Sequence, residues 1–256
     1  MLEWVPRDVI VTVTASPAKG LEPTLELAGR LAAHGYRSVP HLSARLVKDQ
    51  AHLTDIVDRL RAAGISDVFV PAGDADPPVG AFDSALALLQ QLDQLGRPFP
   101  NVGVTGYPQS HPVIGDDVTI QAMWDKRRYA TYVVSNLCFD PRTLRQWVTR
   151  IRARGVTLPL FVGLAGPIER TRLLKMAAKA GVAESSRFLT RHGEWFVRLG
   201  TPGAYSPERL LGNVSSALTA ADSGVRGLHV FTFNQVQQTE QWRQELLQRA
   251  SHAQSA

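Results

Sequence analysis

The chain has 256 residues, of which 44% are hydrophobic and 20% are charged, and this composition excludes an intrinsically disordered protein, because such chains are poor in apolar residues. No run of about 18 apolar residues is present, and the first residues lack the basic and apolar regions of a signal peptide. The single cysteine, Cys138, excludes an internal disulfide framework and a cysteine-rich zinc site. We therefore expect a cytoplasmic protein with no membrane partner.

The net charge of +5 and the pI near 9.6 are compatible with a nucleic-acid partner. However, the densest basic groups, Arg145–Arg154 and Arg187–Arg198, are interleaved with apolar residues at helical spacing. We therefore interpret them as solvated helix faces and expect no nucleic-acid partner. A positive surface also suits a polyanionic small molecule such as a dinucleotide.

Short apolar runs rich in β-branched residues alternate with longer amphipathic segments and predict seven β-strands. Their near-continuous apolar character is typical of strands buried on both faces of a parallel sheet. The first six runs start 27–34 residues apart, which is one βα unit per step. The predicted strands are Val9–Thr14, Arg37–Leu42, Asp67–Pro71, Asn101–Thr105, Thr131–Ser135, Leu158–Gly163 and Gly227–Phe233.

Helices are predicted between these strands. Leu21–His34 and Gln50–Ala63 each carry an apolar stripe, and Gly35 and Gly64 follow them as C-terminal stop signals. The other predicted helices are Ala81–Leu95, Thr119–Arg128, Pro141–Arg154, Arg170–Ala180, Pro207–Ala221 and Thr239–Ser251.

A regular βα repeat forms either an open doubly wound sheet or a (β/α)8 TIM barrel. We favour one α/β barrel domain over residues 1–256, because barrels usually have about 250 residues and Gly103–Gly106 does not fit the phosphate-binding fingerprint of open sheets. An eighth strand is not evident. Glu194–Gly200 could supply it, but a helix over Ser185–Leu199 is preferred, so we expect the N-terminal first strand to be missing.

Polar or ring-bearing side chains follow at least six of the predicted strands. We expect them to converge on one rim, because the carboxyl ends of barrel strands carry the chemistry. The set is rich in amides, hydroxyls and imidazoles, and His41, His111 and His229 stand on separate segments, so we expect no metal site. No strand run ends in the lysine that a Schiff-base aldolase needs. Such a rim is typical of a site that orients a planar ligand and takes its chemistry from a cofactor.

Six segments, in order along residues 9–235, resemble the methylenetetrahydrofolate reductase family, in particular its short bacterial members. The resemblance implies an FAD-containing (β/α)8 barrel enzyme, an oxidoreductase that uses NAD(P)H to reduce 5,10-methylenetetrahydrofolate to 5-methyltetrahydrofolate. The Gly-Asp pair of PAGDADPP and the whole of GYPQSHP are the most specific matches. The segments are VTVTASP (Val11–Pro17), PHLSAR (Pro40–Arg45), PAGDADPP (Pro71–Pro78), GYPQSHP (Gly106–Pro112), SNLCFD (Ser135–Asp140) and LHVFTFN (Leu228–Asn234).

The resemblance implies a set of flavin-binding residues. Thr14 and His41 match strand-end residues that hydrogen-bond the flavin. Tyr107 and His111 match the aromatic ring and the imidazole that flank the flavin and its ribityl-phosphate arm. Lys126 matches a lysine that binds the diphosphate, if one gap is allowed.

The resemblance also implies a set of residues that bind the pterin of folate. Gly73 and Asp74 match a Gly-Asp pair that passes near both the flavin and the pterin, so Asp74 is the expected catalytic and substrate-binding carboxylate. Asn136 matches a glutamine that holds the pterin amide, and it is one methylene shorter. Ala72 stands where the family has an arginine, which removes one phosphate or flavin contact and allows weak flavin binding.

In the family, the VTVT segment is the second strand, and the first strand carries a glutamate that protonates folate N10. Glu3 lies too close to Val9 to fill that place. We expect either that the chain starts at an internal methionine or that it has lost its general acid. In both cases this 256-residue chain should reduce folate poorly. The alternative function is a non-catalytic, folate- or flavin-binding accessory barrel of one-carbon metabolism. The sequence is compatible with a homo-oligomer.

Overall fold

The computed structural model describes residues 2–108, 115–167, 201, 206–220 and 223–254. Parallel strands alternate along the chain with helices. The strands are β1 (Val11–Val13), β2 (Ser38–Pro40), β3 (Asp67–Phe69), β4 (Asn101–Gly106), β5 (Tyr132–Ser135), β6 (Leu160–Ala165) and β7 (Val225–Phe231).

Seven helices are described, together with a short 3₁₀ turn over Ala44–Leu46. None of these helices is both long and apolar enough to cross a membrane. The predicted helix Arg170–Ala180, and the alternatives at Ser185–Leu199 and Glu194–Gly200, lie outside the described residues. The helices are α1 (Glu22–Ala33), α2 (Gln50–Ala62), α3 (Ala85–Gln94), α4 (Asp116–Lys126), α5 (Pro141–Ala153), α6 (Pro207–Thr219) and α7 (Val236–Gln254).

The strands follow one another across the sheet in chain order. β1 pairs with β2, and β3 to β7 form a five-stranded parallel sheet. A parallel bridge between His41 and Phe69 joins β2 to β3. These pairings confirm the predicted α/β class with parallel strands. In the part of the chain that the structure describes, β1 and β7 each pair on one side only.

Side-chain caps and left-handed glycines set several helix ends. Asp49 accepts a hydrogen bond from the His52 N–H at 2.8 Å and begins α2. Ser84 accepts from the Ala87 N–H at 3.3 Å, so α3 begins four residues later than the predicted Ala81. Gly64, with φ of +72°, follows α2 as predicted.

Apolar side chains fill both faces of the sheet, as the near-continuous strand patterns predict. On one face, buried residues such as Leu53 and Trp147 pack between the strands and the helices. On the opposite face, Phe69 packs with Val39 and Val134.

The last strand corrects one predicted boundary. β7 ends at Phe231, two residues before the predicted end, because the chain turns over Thr232–Gln235. Phe233 and Asn234 adopt left-handed φ angles of 49° and 62° in this turn, and no glycine marks it. Asparagine tolerates this region, but phenylalanine rarely does, so the pattern alone favours a longer strand.

Candidate functional site

Five of the predicted site segments lie at one edge of the sheet. The strands are parallel and follow one another in order, so the residues after them meet at the carboxyl edge. Thr14 follows β1, His41 follows β2, the Gly73–Asp74 loop follows β3, Tyr107 follows β4 and Asn136 follows β5.

His41 combines a fixed backbone with an unsatisfied ring atom. Its N–H donates to the Val13 carbonyl at 2.9 Å, and its ring centroid lies 4.7 Å from that of Phe69. Burial, with a smaller contribution from His229, lowers the pKa of His41 to about 3, so the imidazole is neutral at physiological pH. Its Nε2 is buried and has no hydrogen-bond partner among the described residues. A buried polar atom without a partner costs about 1–3 kcal/mol, which a ligand could recover.

His229 is a second imidazole with a lowered pKa, and sequence reasoning did not place it in the site. It lies within β7, opposite Gly163 of β6, and its ring centroid is 4.8 Å from that of Phe231. Burial lowers its pKa to about 4. The signal that could have found it is its alternation with Phe231, since residues two apart on a strand share a face.

The loop after β3 presents Asp74 to solvent beside a tightly packed glycine. Gly73 has a φ of +87°, and a Cβ atom there would lie 2.9 Å from the Ser43 Cβ. Only glycine fits this combination of conformation and contact without strain. Asp74, the next residue, is exposed, so its carboxylate can reach a ligand.

Tyr107 follows β4, and the charge of Asp74 in the loop after β3 acts on its phenol. Its ring is half-buried, and its hydroxyl is hydrogen-bonded to the side chain of Thr105. Burial raises the pKa of Tyr107, and the negative charge of Asp74 raises it further, whereas the Thr105 bond acts in the opposite direction. The structure therefore brings Asp74 and Tyr107 into one electrostatic environment.

Two hydrogen bonds to the backbone of neighbouring residues hold Asn136 at the end of β5. Its N–H donates to the Gly106 carbonyl at 2.7 Å, and its Oδ1 accepts from the Leu137 N–H at 2.8 Å. Ser135 Oγ accepts from the Gly163 N–H at 2.7 Å. The side-chain amide of Asn136 therefore has a fixed position, with an NH₂ group that can donate to a ligand.

Three predicted site residues differ in their placement. Thr14 is exposed, and its carbonyl accepts from Thr24 Oγ1 at 3.3 Å. His111 lies outside the described residues. Lys126 ends α4, and its carbonyl accepts from the N–H groups of Tyr129 and Ala130 just before β5. This places Lys126 near the amino end of β5, so the structure does not bring it to the carboxyl edge with the others, and burial lowers its pKa.

The site's chemistry comes from amides, imidazoles, a phenol and one exposed carboxylate. No group of three histidine, cysteine or acidic side chains suited to a metal ion occurs within the described ranges. Two neutral imidazoles and a raised tyrosine pKa favour hydrogen bonding to a polar, planar ligand over charge pairing.

Comparisons with known proteins give one family. The family model for methylenetetrahydrofolate reductase matches residues 1–192. "Methylenetetrahydrofolate reductase 2" of Saccharomyces cerevisiae is 23% identical over 128 residues, which cover 47% of this chain and 21% of the yeast protein. The matched part thus spans about a fifth of that relative's length.

Two solved structures show a remote likeness. One is oxaloacetate acetylhydrolase in complex with the product oxalate, with 14% identity, a TM-score of 0.43 and coverage of 76% of this chain and 73% of that chain. The other is a Burkholderia cenocepacia J2315 protein described as a lyase/mutase, with 16% identity, a TM-score of 0.44 and coverage of 83% and 84%. Since the family model matches residues 1–192 of the 256, the chain belongs to the methylenetetrahydrofolate reductase family.

Proposed function

We propose that the chain is an oxidoreductase that reduces 5,10-methylenetetrahydrofolate to 5-methyltetrahydrofolate, with NAD(P)H as the reductant and FAD as the cofactor. The observation that carries the proposal is the gathering of the family's motif residues at one sheet edge. Among them are His41, Asp74, Tyr107 and Asn136, from four separate segments. Membership of the family supports the same activity.

The scaffold of this proposal is a single barrel domain of the (β/α)8 type over residues 1–256. Two long-range electrostatic relationships support a curled sheet. His229 of β7 lowers the pKa of His41 after β2, in addition to the larger effect of burial. Asp8, just before β1, raises the pKa of Arg243 on α7, in addition to the larger effect of the Glu240 bonds. Both relationships support a sheet in which the two ends of the strand order approach each other.

The described residues fit an FAD group. His41 offers a buried Nε2 that has no partner among the described residues, and Gly73 lets a ligand approach the backbone. The flavin would be bound by Thr14, His41, Gly73 and Tyr107. Ala72 stands where the family has an arginine, so the affinity for flavin should be lower. When bound, FAD supplies hydride transfer between the nicotinamide and the folate.

The chain's own side chains would then bind and orient the substrate. The Asp74 carboxylate accepts hydrogen bonds from the N–H groups of a pterin, and the Asn136 NH₂ group donates to its carbonyl. The neutral His41 imidazole donates or accepts one hydrogen bond at Nε2 without adding charge. The apolar cluster that includes Phe69 and Phe161 would shield one face of the sheet from water.

A second candidate is an accessory barrel that binds folate or flavin without reducing folate. It is favoured by one observation: in the described part of the chain, no glutamate directly follows a strand. Glu3 lies in a turn and is exposed. A positioned general acid typically contributes about 10²–10⁴-fold to a rate, so its loss would suppress folate reduction and spare binding.

Two assays on the purified chain separate these candidates. The first measures NADH and NADPH oxidation with menadione as the acceptor and added FAD. The second measures formation of 5-methyltetrahydrofolate by chromatography. The reductase proposal predicts activity in both assays, whereas the accessory protein binds folate or FAD but forms no product. If the chain binds neither folate nor FAD, both candidates are wrong.

A further inference from the structure

The loop that carries Asp74 is fastened to the segment after β2 by a ladder of backbone bonds. The ladder runs on both sides of Asp74, so the loop is anchored where it leaves β3 and again where it approaches α3. The bonds run from the Ala44 N–H to the Pro71 carbonyl at 3.0 Å, from Arg45 to Ala72 at 2.9 Å, from Val79 to Arg45 at 2.9 Å and from Ala81 to Lys48 at 2.8 Å.

The side chain of Arg45 spans the same loop. Its Nη1 donates to the Ala75 carbonyl at 3.2 Å, one residue after Asp74. Its Nε donates to the Asp83 carbonyl at 2.9 Å on the far arm of the loop. Asp76 lies 4.0 Å from the same Nη1. One guanidinium thus ties together both arms of the loop and neutralises part of its acidic charge.

Close packing leaves the loop little room to shift. A Cβ atom on Gly80 would lie 1.8 Å from the Lys48 carbonyl oxygen, and one on Gly73 would lie 2.9 Å from the Ser43 Cβ. Ala75 is buried beneath the loop, whereas Asp74 is exposed. The loop therefore rests directly on the segment 43–48 and projects Asp74 outwards.

We propose that Arg45 is a positioning residue that holds the Asp74 carboxylate at the carboxyl edge, in the place where it binds folate. The proposal rests on the proposed function for its ligand. Arg45 acts through the loop, because its hydrogen bonds go to the Ala75 and Asp83 carbonyls. Lysine cannot replace it fully, since one ammonium does not reproduce the forked geometry of a guanidinium.

The test is a double-mutant cycle with Arg45→Ala and Asp74→Asn, read as the dissociation constant for 5-methyltetrahydrofolate by calorimetry. We expect Arg45→Ala to weaken binding about tenfold, as for the loss of a hydrogen bond to a charged group. In the Asp74→Asn background it should have almost no further effect, because residues that act through each other are not additive. Arg45→Lys should recover part of the affinity. Arg59→Ala, on the exposed face of α2 with ion pairs to Glu22 and Asp55, is the matched control and should bind as the unchanged chain does.

Hydrogen exchange of the 73–83 amides on the same variants tests the loop without a ligand. Arg45→Ala should speed exchange there about tenfold and leave the α2 amides unchanged. Additive losses of folate affinity, or unchanged exchange in 73–83, would overturn the proposal. If the unchanged chain binds no folate, the proposed function fails, and the exchange rates alone then support or overturn the anchoring role of Arg45.

Discussion

His229 of β7 contributes to the lowered pKa of His41, which follows β2, although the two strands are five positions apart in the sheet order. Neighbouring strands lie about 4.8 Å apart, so a flat sheet would separate these strands by about 24 Å. Charges that far apart are screened, because the Debye length is about 8 Å at physiological ionic strength. The relationship therefore supports a curved sheet, and it is the main physical support for the proposed barrel.

The lowered pKa values of His41 and His229 predict a loss of stability in acid. Their pKa values of about 3 and about 4 in the folded chain lie below the ordinary 6.5 of the unfolded chain. Between these values the unfolded chain binds protons that the folded chain does not, so the free energy of unfolding falls as the pH is lowered from about 7 towards 4. The loss approaches about 1.4 kcal/mol per unit of pKa difference for each group. Urea unfolding followed by circular dichroism at several pH values measures it.

The matched variants are His41→Gln and His252→Gln. Glutamine at position 41 removes one of the two titrations and should roughly halve the slope of stability against pH. His252 lies on the exposed surface of α7, and its substitution should leave the slope unchanged. If His41→Gln leaves the slope of stability against pH unchanged, the lowered pKa of His41 is contradicted.

Gly73→Ala should destabilise the chain more than Gly64→Ala. Both glycines have left-handed φ angles, of +87° and +72°, so both substitutions incur a backbone cost of about 1 kcal/mol. Only Gly73 also meets a neighbour, the Ser43 Cβ at 2.9 Å, which adds about 1 kcal/mol or more of overpacking. Urea midpoints at constant m-value report both losses. Equal losses in the two variants would show that the loop yields to the new methyl group.

The order and class of the strands could be predicted from the sequence, because burial on both faces produces a continuous apolar run, as in β5 and β6. The carboxyl-edge position of His41 and Asn136 followed from the same rule. The left-handed turn at Phe233 could not, since no local signal marks it. The lowered pKa of His41 includes a contribution from His229, almost 190 residues further along the chain, which no local pattern shows. The resemblance matches Lys126 only through a gap, which does not show that this residue lies at the C-terminal end of α4.

Asp74→Asn should lower the pKa of Tyr107. The carboxylate disfavours the tyrosinate, so removal of its charge shifts the pKa back towards its ordinary value, while the larger effect of burial remains. Carbon-13 NMR of labelled tyrosine rings measures the titration. Asp76→Asn changes the same charge in the same loop and should move the Tyr107 pKa less. An equal shift in both variants would mean that Asp74 is not placed specifically beside Tyr107.

The central claim is that the carboxyl edge binds both ligands with divided roles, Asp74 and Asn136 holding folate while His41 holds the flavin. The most direct measurement is calorimetric titration of the unchanged chain, Asp74→Asn and Asn136→Ala with 5-methyltetrahydrofolate and, separately, with FAD. A polar partner left unpaired in the site costs about 1–3 kcal/mol, so each variant should lose about tenfold or more in folate affinity and keep its FAD affinity. Equal loss of both ligands, or folate affinity unchanged in both variants, would contradict the account.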